Sequence, residues 1–310
     1  MLSINNLTKR YGKFTALDNL NMEIKKGQIY GFVGPNGAGK TTTMRIIAGL
    51  LKADSGSVYV GKVDALAEPK KLKTMIGYMP DFFGVYDNLR ALEYMEFYAS
   101  IYGINGKSAK KLCLELMDLV RLSDQADSYV DEMSRGMKQR LCLARCLVHD
   151  PELLILDEPA SGLDPRARFE MKEILKELHN RGKTILISSH ILPELAQMCT
   201  HIGIIEKGRM VVSGTVEEIL SARGNTSPIV MKFISGQEKA VEVLKQNSLV
   251  ENIIIQDNSI SILFKGQEEE EADLLTALVQ SGAKLSSFVR EESSLESLFL
   301  QITDSKEATD

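Results

Sequence analysis

Eight consecutive residues limit what this chain can fold into: Gly34-Pro35-Asn36-Gly37-Ala38-Gly39-Lys40-Thr41, a full match to GxxxxGK[ST]. The glycines let backbone N–H groups turn inward around an anion, and a helix leaving the loop adds the positive end of its dipole. Such a loop needs a buried strand to deliver it. Apolar residues 28–33 run straight into it, and helical periodicity follows over residues 40–50. Lys40 is expected to bridge the β- and γ-phosphates of a bound nucleoside triphosphate, and the Thr41 hydroxyl to ligate Mg²⁺.

A second buried strand supplies acids. Leu153-Leu154-Ile155-Leu156 ends in Asp157-Glu158. Asp157 is expected near Mg²⁺, reaching it through water, and Glu158 is the candidate general base or the group that orients the attacking water. His190 follows Ile185-Leu186-Ile187-Ser188-Ser189, and its place at a strand end suggests a γ-phosphate contact. Tyr11 offers either an ordinary exposed loop side chain or an aromatic plane for a base. His149, His179 and His201 have no such placement.

The rest of the pattern is α/β. Short strands are expected at 2–4 and 20–24, then at 57–60 and 76–79. Helical spacing dominates 89–121, with Leu92, Met95, Phe97, Tyr98 and Ile101 three and four residues apart. Strands are expected again at 153–156 and 184–188, flanking a helix over 165–180, and a hairpin turns at Lys207-Gly208. Residues 223–228 read as a linker. Beyond it, strand, helix, two strands, helix and strand suggest a small α+β, ferredoxin-like unit. The run Glu268 to Glu271 reads as a solvated helix start.

Bulk properties fit this division. The 310 residues suffice for one large and one small domain, and 44% hydrophobic with 25% charged residues is ordinary for a soluble protein. The net charge of -5 implies no general affinity for nucleic acid. Its distribution is uneven, roughly +3 before residue 225 and roughly -8 after it. No secretory signal opens the chain, and no apolar run approaches the roughly 18–20 residues of a membrane span. Cys113, Cys142, Cys146 and Cys199 lack metal-type spacing, which suits a reducing cytoplasm.

Between the phosphate loop and the acids lies Ser134-Arg135-Gly136-Met137-Lys138-Gln139-Arg140. With it, residues 1–215 resemble the ATP-binding subunit of an ABC transporter. The resemblance implies a P-loop NTPase cassette with a RecA-like core, a helical subdomain and an N-terminal β-subdomain. It assigns Ser134 to Gln139 as the family signature, Ser161-Gly162-Leu163-Asp164 as the D-loop, His190 as the switch histidine and Tyr11 as the adenine-stacking aromatic. Thr42 joins the phosphate-binding set, and Asp164 the nucleotide-binding set. It further implies a pair of cassettes closing on two ATP, with Ser134 and Gly136 of one facing the γ-phosphate held by the other.

Two departures stand out. The usual Leu-Ser-Gly-Gly-Gln appears as Met133-Ser134-Arg135-Gly136-Met137, which keeps the serine and second glycine. The glutamine expected after Gly77-Tyr78 is replaced by Asp81, shorter and charged, with Mg²⁺ or the water still within its possible range. The segment Ser294-Leu295-Glu296-Ser297-Leu298-Phe299-Leu300-Gln301-Ile302-Thr303 resembles the closing motif of bacterial ABC-2-type exporter ATPases, although its apolar residues also suit simple packing.

The expected organisation is therefore an ATP-binding domain over 1–222, with its helical subdomain at about 82–140, an α+β domain over 229–304 and a tail over 305–310. The resemblance implies ATP hydrolysis coupled to a separate ABC-2-type permease, with the subunit cytoplasmic and peripheral on the inner face of the membrane. The alternatives are a soluble ABC-type ATPase acting on ribosomes or DNA, and a nucleotide-dependent regulator outside transport. The absence of a second cassette and of long coiled-coil inserts argues against the first, and Glu158 with His190 against the second.

Overall fold

The computed structural model describes residues 1–82, 84, 88–190, 195, 198–221, 228–256 and 258–290. Residues 223–227 of the expected linker, the 294–303 segment and the 305–310 tail lie outside the described residues. The chain divides into two compact units, Met1–Val216 and Glu217–Asp310.

The first unit opens with a long antiparallel hairpin, β1 (Leu2–Tyr11) and β2 (Phe14–Ile24). It is far longer than the short strands that periodicity predicts. Register shifts interrupt the pairing, and Asn6 and Asn19 sit at φ 47° and 51°, so the two-residue alternation that marks a strand is broken. Next, β3 (Ile29–Val33), buried at every position, delivers the glycine loop to α1 (Lys40–Ile47). This helix stops three residues short of the predicted span because Gly49, at φ 69°, takes the left-handed conformation that ends helices.

β4 (Ser55–Val60) and β5 (Val63–Asp64) complete the first sheet, in the order β2-β1-β4-β5. α2 (Pro69–Met75) leads into β6 (Ile76–Met79). The helical stretch at 89–121 resolves into α3 (Ala91–Ile101) and α4 (Gly106–Leu119), and α5 (Arg135–Leu147) follows on the Ser134 to Arg140 run. Then come β7 (Leu153–Leu156), α6 (Pro165–Asn180), β8 (Thr184–Ser189), β9 (His201–Glu206) and β10 (Arg209–Thr215).

The second sheet runs β10-β9-β3-β8-β7-β6. β9, β3, β8, β7 and β6 are parallel, and β10 closes one edge antiparallel, turning at Lys207 and Gly208, both at positive φ. Strands buried on both faces read as unbroken apolar runs, which is why β3, β7 and β8 are visible in the sequence. One core, including Leu17, Phe32, Met44, Val58, Ile155 and Leu186, spans both sheets.

α7 (Val216–Ser221) follows. The second unit contains β11 (Pro228–Ser235), α8 (Gln237–Gln246), β12 (Val250–Gln256), β13 (Ser259–Phe264), α9 (Glu268–Gln280) and β14 (Lys284–Arg290). Its antiparallel sheet runs β12-β13-β11-β14. Ile229, Met231, Ile260, Phe264, Leu274 and Leu278 form a core of its own. Glu268 to Glu271 fill the first turn of α9, where Glu270 accepts from the Gln267 backbone N–H at 2.8 Å.

Candidate active site

The parallel register brings the critical loops together. Val33 pairs with Ser189, Leu156 with Ile187, and Met79 with Leu156. The carboxyl ends of β3, β6, β7 and β8 therefore lie side by side, and the residues just beyond them share one edge, the usual position for a ligand in an open α/β sheet. Two glycines of the loop itself have no room for a side chain. A Cβ at Gly34 would lie 2.4 Å from the Ile205 carbonyl oxygen. Gly39 has φ 111°, and a Cβ there would meet the Ala16 carbonyl oxygen at 2.8 Å.

Lys40 is buried at the start of α1. Its Nζ donates to the Gly34 carbonyl at 2.6 Å and the Pro35 carbonyl at 3.2 Å, and stands 3.9 Å from Glu158 Oε1. Burial pushes its pKa below the ordinary 10.5, and the attraction of Glu158 and Asp157 offsets this only in part.

Asp157 is 1% exposed. Its Oδ1 accepts from the Ser188 hydroxyl at 2.7 Å, and its backbone N–H donates to the Met79 carbonyl at 2.8 Å. Its Oδ2 is buried with no hydrogen-bond partner, an arrangement that costs free energy unless something else completes it. Thr41 lines the cleft beside the loop. A hydroxyl and one unsatisfied carboxylate oxygen suit Mg²⁺, which usually takes one or two protein oxygens and fills its shell with phosphate and water. No cluster of three or more His, Cys, Asp or Glu gathers as a separate metal cage among the described residues.

Glu158 adopts φ 52°, a strained conformation for this residue type. Its backbone N–H donates to the Ser188 hydroxyl at 2.9 Å, and its Oε2 lies 2.9 Å from His190 Nδ1. The carboxylate is thus held between a buried cation and an imidazole.

The cleft above these groups encloses about 430 Å³. Asn36, Gly37, Ala38, Gly39, Lys40, Thr41 and Thr42 form its floor, Glu158, His190, Ser161 and Asp81 one wall, and Tyr11 with Phe14 a rim. Gly34 and Pro35 lie behind the floor as acceptors for Lys40. Phe14 escaped sequence reasoning because its register partner is Tyr11, across a two-residue turn that periodicity does not reveal. Ser188 was legible only as a polar residue ending an apolar strand.

Gly34, Pro35 and Asp157 adjoin this cleft without lining it, whereas Ser134, Gly136 and Asp164 belong to α5 and the start of α6. Ser134 is the N-cap of α5, its Oγ accepting from Met137 N–H at 3.3 Å. Gly136 is buried against α6, where an added Cβ would come within 2.8 Å of the Ala167 Cβ. Asp164 caps α6, its Oδ1 accepting from Ala167 N–H at 2.9 Å. A single chain therefore does not bring the signature residues to its own phosphate loop.

The ABC transporter family profile matches residues 17–161. The linearmycin resistance ATP-binding protein of Bacillus subtilis is 35% identical over 306 residues, 98% of each chain. The bacitracin transport ATP-binding protein of Bacillus licheniformis is 36% identical over 305 residues, 97% of each. Among solved structures, a dimeric post-hydrolysis ATP-binding cassette bound to ADP and Pi is 26% identical with a TM-score of 0.64, covering 70% of this chain and 99% of that one. Identity of this order along nearly the full length of two relatives means that the chain belongs to the ABC transporter family, as an ATP-binding, ATP-hydrolysing subunit.

Proposed function

We propose that this subunit binds ATP with Mg²⁺ in the cleft above Lys40 and, paired with a second cassette, drives a separate ABC-2-type permease in export. The carrying observation is Glu158, fixed between Lys40 at 3.9 Å and His190 at 2.9 Å, beside the anchored carboxylate of Asp157. That placement suits a base, or a group orienting water, at the γ-phosphate. Tyr11 and Phe14 would hold the base, the loop amides and Lys40 the phosphates. Thr41 and Asp157 would hold Mg²⁺, which supplies charge neutralisation when bound. Asp81 lines the same cleft, which supports a contact with the metal's water shell.

A single chain leaves Ser134 and Gly136 outside its own cleft, which supports their use by a second cassette. The N-terminus of α5 would then aim its dipole at the partner's ATP. ATP gains these contacts only when the pair closes, so binding would favour closure and hydrolysis would release it.

A permease is supported by a second groove, of about 340 Å³, lined by Leu50, Tyr98, Tyr102, Arg145 and His149 among others. Leu50, Ile101 and Tyr102 are exposed, a surface suited to a partner. No helix among the described residues is long and apolar enough to cross a membrane. Attachment would be peripheral, on the inner face. The relatives' names, which include bacitracin transport and Nod factor export, support export over the ribosome, DNA and regulator readings.

We assign the ATP-binding domain to 1–222, with its helical subdomain at about 82–140, and the second domain to 229–304, before a tail at 305–310. Its strand order, β12-β13-β11-β14, supports a ferredoxin-like unit.

Replacing Glu158 by Gln tests the central claim. Turnover should fall by about a hundredfold or more while ATP still binds and traps the pair, read by light scattering. Unchanged turnover would overturn the role given to Glu158.

A further inference from the structure

Position 135 carries a long, exposed side chain where the family signature usually has glycine. The Arg135 guanidinium lies against Gly162: a Cβ there would come within 2.6 Å of Cζ and Nη1 and 2.9 Å of Nη2. Gly162, at φ 67°, sits in the turn that leads from Glu158 to α6. Two more side chains hold the same turn. Gln139 Nε2 donates to the Ser161 carbonyl at 3.3 Å, and Arg168 Nη2 to the Leu163 carbonyl at 3.1 Å. Ser161 lines the ATP cleft, and its backbone N–H donates to the Glu158 carbonyl at 3.0 Å. A contiguous path of contacts thus joins Arg135 to Glu158 within one chain.

We propose that Arg135 is a positioning residue for its own subunit: it clamps the 161–163 turn and thereby fixes Glu158 for hydrolysis. The planar guanidinium covers a residue that has no side chain of its own, filling a surface that the usual signature glycine leaves open. Lysine has no flat face and is a poor substitute. The proposal rests on the ATPase reading only for its kinetic consequence. The clamp itself is made by residues of one chain, so it can be read without nucleotide or partner.

Amide hydrogen exchange on dilute nucleotide-free protein, comparing wild type with Arg135→Ala and Arg135→Lys, reads the clamp before any pairing. Exchange at Ser161 to Leu163 should rise by about tenfold in Arg135→Ala and by less in Arg135→Lys, with other regions unchanged. In steady-state assays kcat should fall by about tenfold while KM and ATP affinity stay within about twofold. Unchanged exchange with reduced kcat would overturn the proposal in favour of Arg135 acting across the pair on the partner's ATP. Unchanged exchange and kcat would reduce it to a surface side chain. Because exchange is read without nucleotide, a wild type lacking ATPase activity would count against the functional reading and leave the exchange result to decide the clamp.

Discussion

Ser188 donates a 2.7 Å hydrogen bond to the buried carboxylate of Asp157, and the same hydroxyl accepts from the Glu158 backbone N–H at 2.9 Å. One side chain on β8 therefore sets the attitude of both acids at the end of β7. Removing it leaves Asp157 Oδ1 and the Glu158 N–H without this shared partner, at a cost of about 1–3 kcal/mol for a buried group left unsatisfied. Ser188→Ala should keep ATP affinity near wild type and lower kcat about tenfold or more, with a reduced apparent affinity for Mg²⁺ in a metal titration of turnover. Unchanged kcat and metal dependence would show that the acids are held by their backbones alone.

Lys40 predicts a pH dependence of stability. Burial lowers its folded pKa below the 10.5 it has when exposed. Below the folded value both states hold the proton, and the cost of burying the charge is full. Between the folded value and 10.5 the unfolded chain holds a proton that the folded chain has shed, so stability rises with pH. Denaturant unfolding of wild type and Lys40→Met across the alkaline range should therefore show wild type gaining relative to the variant as pH climbs toward 10.5. A difference that is flat with pH would remove the desolvation claim. The same variant should lose nucleotide binding, since it removes the cation from the cleft floor.

At the cleft rim, Tyr11 and Phe14 form the last register pair of the β1–β2 hairpin, 49% and 61% exposed, and both line the cleft. Aromatic stacking on a base contributes about 1–3 kcal/mol by alanine substitution. Tyr11→Ala should weaken ATP binding by about tenfold, and Phe14→Ala should also weaken it. Neither should alter binding of inorganic tripolyphosphate, which lacks a base. Equal losses for both ligands in calorimetric titration would mean that the hairpin shapes the phosphate loop instead.

The sequence makes some of this site visible and hides the rest for physical reasons. Lys40, Thr41, Glu158 and His190 lie just beyond largely apolar strands, and parallel pairing then puts them at one sheet edge. Phe14 depends on hairpin register, and the Asn6 and Asn19 irregularities erase the alternation that would give that register away. The close approach of Gly136 to Ala167 joins two helices 31 positions apart, and nothing local to either residue announces it. The end of α1 turns on Gly49 alone.

That approach governs what a side chain at position 136 would do. In the family reading Gly136 is small because ATP of a second cassette comes close. Here the space for a side chain points at Ala167 Cβ, 2.8 Å away, inside the α5–α6 contact. Gly136→Ala should therefore destabilise the fold by about 1–3 kcal/mol through overpacking. Adding Ala167→Gly vacates that space, at a helix-propensity cost of about 1 kcal/mol or less so near the start of α6. The double variant should recover most of the lost thermal stability and, with it, ATPase activity. Recovery of stability without recovery of activity would place the demand for glycine at the partner's nucleotide, because the remaining defect would then belong to the surface that closes over ATP.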